Sequence, residues 1–264
     1  FMSDRRTFVS QLAAILGVSA LSNVDMFADS NSDIPSDEKT FWAWIRNHYT
    51  VSPNIINLNN GGVSPQPKVV QTAMENYNRL SNEAPSYYMW RVLDAGREPL
   101  RENLARLLGA KTDEVAINRN STEGLNSVIF GLNLKKGDEV VLSKQDYPNM
   151  INAWKQREKR DGIVLKWVNL DLPSEDETYI VEQFTKLFSS KTKVVHITHI
   201  INWCGQVLPV RKIADIAKSK GIEVLVDGAH TFAHLDFKIN DLNCDYFATS
   251  LHKWLCAPFG TGLL

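Results

Sequence analysis

From Glu114 onward, short apolar, β-branched runs alternate with longer stretches whose apolar residues recur at helical spacing. Glu114–Asn118, Asp138–Leu142, Ile163–Val168, Lys193–Thr198, Glu223–Val226 and Tyr246–Thr249 read as strands. The stretches between them read as helices: after Asn118 as far as Leu132, then Asn149–Arg160, Thr178–Phe188 and Val210–Lys220. This repeated β-α-β pattern predicts an α/β fold, with a mostly parallel central sheet covered by helices on both faces. Upstream, a helix is expected from Ser36 through Ile45, with acidic residues in its first turn. Ile55–Leu58 predicts a short strand running into Asn59, Asn60, Gly61 and Gly62. Pro67–Leu80 predicts a helix. Pro85–Leu108 predicts a longer one, broken or kinked at Pro99 and stopped by Gly109. A further strand is expected to begin at Gly260–Leu264.

The N-terminus departs from this pattern. Arg5 and Arg6, followed by Phe8 and an apolar run from Leu12 to Leu21, resemble a twin-arginine export signal. The run is too short for an ordinary transmembrane helix, and an amphipathic N-terminal helix is the alternative. Asn23–Ser36 is polar and reads as a linker. The expected organisation is a signal and linker over 1–35, an N-terminal segment over 36–66, and one large domain over 67–264. The signal predicts a periplasmic or exported protein, with no other membrane association; without it the protein would be cytoplasmic.

Composition narrows the function classes. The chain has 264 residues, 44% hydrophobic and 22% charged, with a net charge of −1, which is ordinary for a soluble domain and gives no support for a nucleic-acid partner. The three cysteines, Cys204, Cys244 and Cys256, form no C-x-x-C pair and are expected as buried free thiols.

In parallel sheets of this kind, ligands sit beyond the C-terminal ends of the strands. The polar residues that fall there are Asn120, Ser121, Thr122 and Glu123, then Asp146 and Tyr147, His199 and Asn202, Asp227 and His230, and finally Ser250, His252 and Lys253. Asp227 and Lys253 each end an apolar run, where a charge is costly unless paired or functional. Ser121 and Thr122 open a helix directly after a strand, which makes either a plain N-cap or an anion site. Neither G-x-G-x-x-G nor G-x-x-x-x-G-K-[ST] occurs, so one phosphate suits this site better than a dinucleotide. Tyr147 could stack on a flat ring. The combination reads as a pyridoxal 5'-phosphate site, with Lys253 as the Schiff-base lysine and Asp227 as the partner of the pyridine nitrogen. A metal hydrolase is the weaker rival: His196, His199, Asp227, His230, His234 and His252 have some ligand-like spacings, yet His196 and His199 would point to opposite faces of a strand. No G-x-S-x-G elbow supports a serine hydrolase.

Five stretches carry a family resemblance: N-L-N-N-G-G-V-S-P (57–65), R-N-S-T-E-G-L-N (119–126), T-H-I-I-N-W-C-G (198–205), V-D-G-A-H (226–230) and S-L-H-K-W (250–254). In this order they resemble the class V aminotransferases of the fold-type-I pyridoxal phosphate enzymes, the isopenicillin N epimerase-like branch most of all. The resemblance implies that Lys253 carries the cofactor as a Schiff base and that Asp227 pairs with the pyridinium. It places Thr122, Ser250 and His252 on the phosphate, with Ser121 near it, and Tyr147 on the ring. It sets His230 and Asn202 near the phenolic oxygen and substrate, and Asn60 and Gly61 on the substrate side. It also implies a small amine or amino-acid substrate and a homodimer. Members of this family continue into a C-terminal small domain, so this chain is expected to stop before it and to be a fragment. A non-catalytic fragment keeping the fold is therefore the alternative to an active enzyme. Neither Cys204 nor Cys256 matches the nucleophile of the related desulfurases.

Overall fold

The computed structural model of the chain describes residues 34–264. The twin-arginine pattern lies outside the described residues. The described chain divides into two compact units: one holds the residues up to Ile56 together with Gln66–Arg106, the other Asn57–Pro65 and Leu107–Leu264.

In the first unit, α1 (Glu38–Asn47) starts where Asp37 Oδ1 accepts the Thr40 N–H at 3.0 Å, and α2 spans Lys68–Glu83. The expected helix over 85–108 is not continuous. A turn at Pro85–Tyr87 passes through a π segment (Tyr88–Leu93) and a 3₁₀ turn (Asp94–Gly96) into α3 (Arg97–Leu108). The break falls upstream of Pro99, which sits in the first turn of α3, where its missing N–H costs nothing. Gly109 then ends the helix at φ 75°, a left-handed conformation that favours glycine.

The second unit is a seven-stranded sheet. Its strands are β1 (Ile117–Asn118), β2 (Glu139–Ser143), β3 (Val164–Val168), β4 (Thr192–Thr198), β5 (Glu223–Asp227), β6 (Tyr246–Ser250) and β7 (Gly262–Leu263). They lie in the order β1-β7-β6-β5-β4-β2-β3. The five from β6 to β3 are mutually parallel, and β7 runs antiparallel to both neighbours. The helices are α4 (Ser121–Gly131), α5 (Pro148–Asp161), α6 (Glu177–Thr185) and α7 (Val210–Ser219).

Strand periodicity sets the two faces. Val140, Leu142, Val194 and Leu225 pack with Leu125 and Ile129 of α4 and with Met150 and Trp154 of α5. The intervening Val141, Val195, Val224 and Val226 are equally buried, so the second face is covered too. On α7 the buried positions are Val210, Ile213, Ala214 and Ala217, one helical stripe. Each fully buried aliphatic side chain contributes about 1.5–3 kcal/mol. Arg157, buried on α5, ties α5 to the end of α4. Its guanidinium donates to the carbonyls of Ile129 and Leu132 and pairs with Asp161, satisfying acceptors that a helix C-terminus leaves open.

Two sequence expectations differ from the structure. Ile55–Leu58 joins no ladder, and Leu58 is 90% exposed. Asparagine side chains turn the chain locally instead: Asn57 Oδ1 accepts the Asn59 N–H at 3.0 Å and Asn59 Oδ1 that of Gly62 at 3.2 Å, in competition with a strand. The cysteines, expected to be buried, are not: Cys204 is exposed and Cys244 and Cys256 are half-buried.

Candidate active site

The two-residue period of the strands decides which carboxylate reaches the site. Leu225 points into the α4–α5 face, so Asp227, two residues on, does as well. On the flanking strands Thr198 is paired with Asp227, and Ala248 with Asp227 on the other side, so Ser250 joins the same face. These strand ends line a cavity of about 410 Å³ within the second unit, a volume suited to a cofactor-sized ligand.

Of the residues singled out from sequence, Ser121, Thr122, Tyr147, Asn202, Asp227, His230, Ser250, His252, Lys253 and Gly61 all line this cavity. Asn60 does not: its Oδ1 accepts from Asn57 Nδ2 at 2.7 Å and its carbonyl from Ser64 Oγ at 3.0 Å, so it builds the turn. Its neighbours Asn59 and Gly62 line the cavity instead, as do Asn149 and Thr198. Gly61 packs on the site because a Cβ there would lie 3.3 Å from His230 Cε1.

One end of the cavity is built by the start of α4. Asn120 caps the helix by accepting the Glu123 N–H at 2.8 Å, and its carbonyl takes that of Gly124 at 3.2 Å. Ser250 Oγ accepts the Ser121 N–H at 3.0 Å and shares a second hydrogen bond of 3.0 Å with Ser121 Oγ. One hydroxyl proton is consumed between the two serines, leaving the other for a ligand. Thr122, in the first turn, lines the cavity. Gly124 lets α4 approach this closely: a Cβ there would sit 2.9 Å from Ala248 Cβ. His252 donates Nδ1–H to the Thr261 carbonyl at 3.0 Å, so its Nε2 reaches an anion as a donor only when the ring is protonated.

At the other end lie the charges. Asp227 is 4% exposed, and burial pushes its carboxyl above the usual range against the opposing pull of His196, the Ala229 N–H and Lys253. Its Oδ1 accepts the Ala229 N–H at 3.0 Å. Burial pushes the Lys253 ammonium down, while Asp227 pulls it up. Lys253 Nζ lies 3.2 Å from His230 Nε2, and His230 Nδ1 accepts the Trp254 indole N–H at 3.3 Å. Burial, then the charges of Lys253 and His234, lower His230 to about 4.

Asp146 supports the site from beneath. It accepts from Ser143 N–H at 2.8 Å, Ser143 Oγ at 3.0 Å and Thr198 Oγ1 at 2.8 Å. That clasp fixes the turn that presents Tyr147 ahead of Pro148. His199 is turned away, bonded to Thr231 Oγ1 at 3.1 Å, and His196 packs edge-on against Trp154. Among the described residues, no three His, Cys, Asp or Glu side chains converge as a metal site.

These residues fit pyridoxal 5'-phosphate. A helix start that brings the Ser121 and Thr122 hydroxyls to the cavity suits its phosphate. A buried carboxylate held above its usual range lacks the close cation that a protonated pyridine nitrogen would be. A partly desolvated lysine faces that carboxylate's cavity.

The family model for aminotransferase class-V matches residues 56–264. Isopenicillin N epimerase of Streptomyces clavuligerus is 31% identical over 224 residues, covering 84% of this chain and 56% of that protein. A probable cysteine desulfurase of Synechocystis sp. is 33% identical over 218 residues, covering 80% of this chain and 51% of that protein. Among solved structures, a C-DES mutant with glycine covalently linked to its PLP cofactor aligns with a TM-score of 0.74 at 25% identity, over 83% of this chain and 58% of that one. The chain spans about half the length of the curated relatives it matches.

Proposed function

The chain belongs to the aminotransferase class-V family, whose cofactor is pyridoxal 5'-phosphate, and from that membership we propose that Lys253 binds the cofactor covalently for chemistry at the α-carbon of an amino acid or amine. The observation that carries this reading is the cavity onto which Lys253, the buried Asp227 and the start of α4 all open. The bound cofactor supplies an electron sink that acidifies the substrate's Cα–H.

The protein's residues divide the remaining work. Ser121 and Thr122 bind the phosphate at the head of α4, where the helix dipole favours an anion. Asp227 holds the proton on the pyridine nitrogen, because a buried carboxylate is stabilised by a cation beside it. Tyr147 covers the ring face and excludes water from it. Lys253 Nζ, beside the substrate's Cα, would take its proton and return it to the same face. Delivery of a proton to the opposite face of Cα by a second acid, with the proton on Lys253 released to solvent, would give an epimerase-like outcome, the branch supported by the likeness to isopenicillin N epimerase.

A homodimer and export by the twin-arginine route are part of the same proposal. The first rests on the family resemblance and the second on Arg5 and Arg6 ahead of the apolar run. Titrating the protein with pyridoxal 5'-phosphate and then with amino acids tests the reading. A saturable band near the visible edge that changes with an amine supports it; a protein that gains no band refutes it.

A further inference from the structure

Three aromatic or basic side chains form a chain of contacts leading away from Lys253. His234 lies flat on Trp254, with ring centroids 3.9 Å apart and planes 13° apart. Trp254 Nε1–H points to His230 Nδ1 at 3.3 Å, and His230 Nε2 faces Lys253 Nζ at 3.2 Å. An indole N–H can only donate. His230 Nδ1 must therefore present its lone pair, and a neutral ring with a lone pair on Nδ1 carries its proton on Nε2. An Nε2–H directed at Lys253 needs an acceptor there, and a lysine nitrogen accepts only as the uncharged amine.

We propose that Trp254 is a positioning residue: it fixes His230 as the Nε2–H tautomer, and His230 in turn holds Lys253 Nζ as an uncharged, nucleophilic amine. The proposal rests on Lys253 being the lysine that captures the cofactor. The stacked His234 keeps the indole from rotating out of line, and Gly61 closes the other side, where a Cβ would lie 3.5 Å from both His230 Nδ1 and Trp254 Cζ2. The groups facing this chain are Asp227, which favours the ammonium, and His234, which disfavours a charged His230. Burial already keeps His230 neutral at neutral pH, as a single fixed tautomer requires.

Removing the indole N–H reverses this arrangement. Nδ1 is then free to carry the proton, Nε2 turns acceptor, and the ammonium form of Lys253 gains a hydrogen bond it did not have. In the cofactor-free protein, Trp254→Phe keeps an aromatic surface for His234 but deletes the donor. The expected result has two parts. The ¹⁵N resonances of His230 exchange the protonated nitrogen from Nε2 to Nδ1. The pH midpoint for capture of added pyridoxal 5'-phosphate, fixed by borohydride and read at the Lys253 peptide, rises by about one unit, a roughly tenfold slower capture below the midpoint. Replacing Trp254 with β-(3-benzothienyl)alanine, which keeps the ring shape without the N–H, makes the same test where Phe perturbs folding. Unchanged His230 resonances together with an unmoved midpoint overturn the proposal. Label at a lysine other than Lys253 in the unsubstituted protein instead sinks the cofactor assignment, while the ¹⁵N readout still judges the tautomer.

Discussion

Ser250 Oγ accepts the N–H of Ser121 at 3.0 Å, joining the end of β6 to the first turn of α4 across 129 residues of sequence. The bond satisfies one of the donors a helix start leaves open and sets where the head of α4 lies relative to Lys253. Ser250→Ala leaves that N–H buried and unpaired, a loss of about 1–3 kcal/mol. The expected outcome is roughly tenfold weaker binding of pyridoxal 5'-phosphate, with a smaller loss for pyridoxal, which has no phosphate to bind. Fluorescence titration with both ligands checks it, and equal losses would argue against the phosphate assignment.

Asp227→Asn keeps the shape of the side chain and removes its charge. If Asp227 holds the pyridine proton, α-proton exchange of a bound amino acid in D₂O slows by about 10² or more, while the cofactor is still captured. Proton NMR of the exchanging substrate measures this. An exchange rate within a few-fold of the unsubstituted protein would remove Asp227 from the chemistry.

Gly228 follows Asp227 at a crowded turn. A Cβ there would lie 2.0 Å from Phe247 Cε2, whereas at Gly61 the nearest atom is a His230 ring carbon at 3.3 Å. Gly228→Ala is expected to destabilise the fold by about 1–3 kcal/mol or more, since a packed ring must move. Gly61→Ala should cost little stability but alter cofactor capture by shifting His230. Urea unfolding of the two variants distinguishes the cases.

The buried histidines set a pH dependence with a definite sign. His196 and His199 are each lowered by burial from 6.5 to about 4. Groups depressed in the fold contribute stability that is full above pH 6.5 and is lost as pH falls through 4. Asp146, raised by burial to about 6, acts oppositely: its contribution is full below 3.8 and is lost as pH rises through 6. His196 has no hydrogen-bond partner at either ring nitrogen, so His196→Leu removes a proton-linked group without stranding another. Between pH 6.5 and 4 the variant's loss of stability on acidification should be shallower by about 1.4 kcal/mol per pH unit. Denaturant midpoints at pH 7 and pH 5 measure the slope; identical slopes would show that His196 does not titrate with unfolding.

Much of this was legible in the chain because strand ends are local features. The apolar runs stopping at Asp227 and ahead of Lys253 marked the two charges, and the hydroxyls after β1 marked the helix start. β1 proved two residues long and antiparallel to β7, because its pairing is decided by a strand more than 140 positions away. Asn60 was singled out where Asn59 and Gly62 face the cavity, since asparagine side chains choose among nearby backbone groups by geometry rather than by pattern. Ile55–Leu58 misled for the same reason. The contact between Trp254 and His230 left no signal at all: a tryptophan after a lysine reads as packing until its N–H is seen to point at a ring nitrogen.

Covalent capture of the cofactor by Lys253 is tested by borohydride reduction followed by peptide mapping. One reduced pyridoxyl group per chain is expected, located on Lys253, and no absorbance band in Lys253→Ala. A band that persists in Lys253→Ala, with label on another lysine, would contradict the assignment.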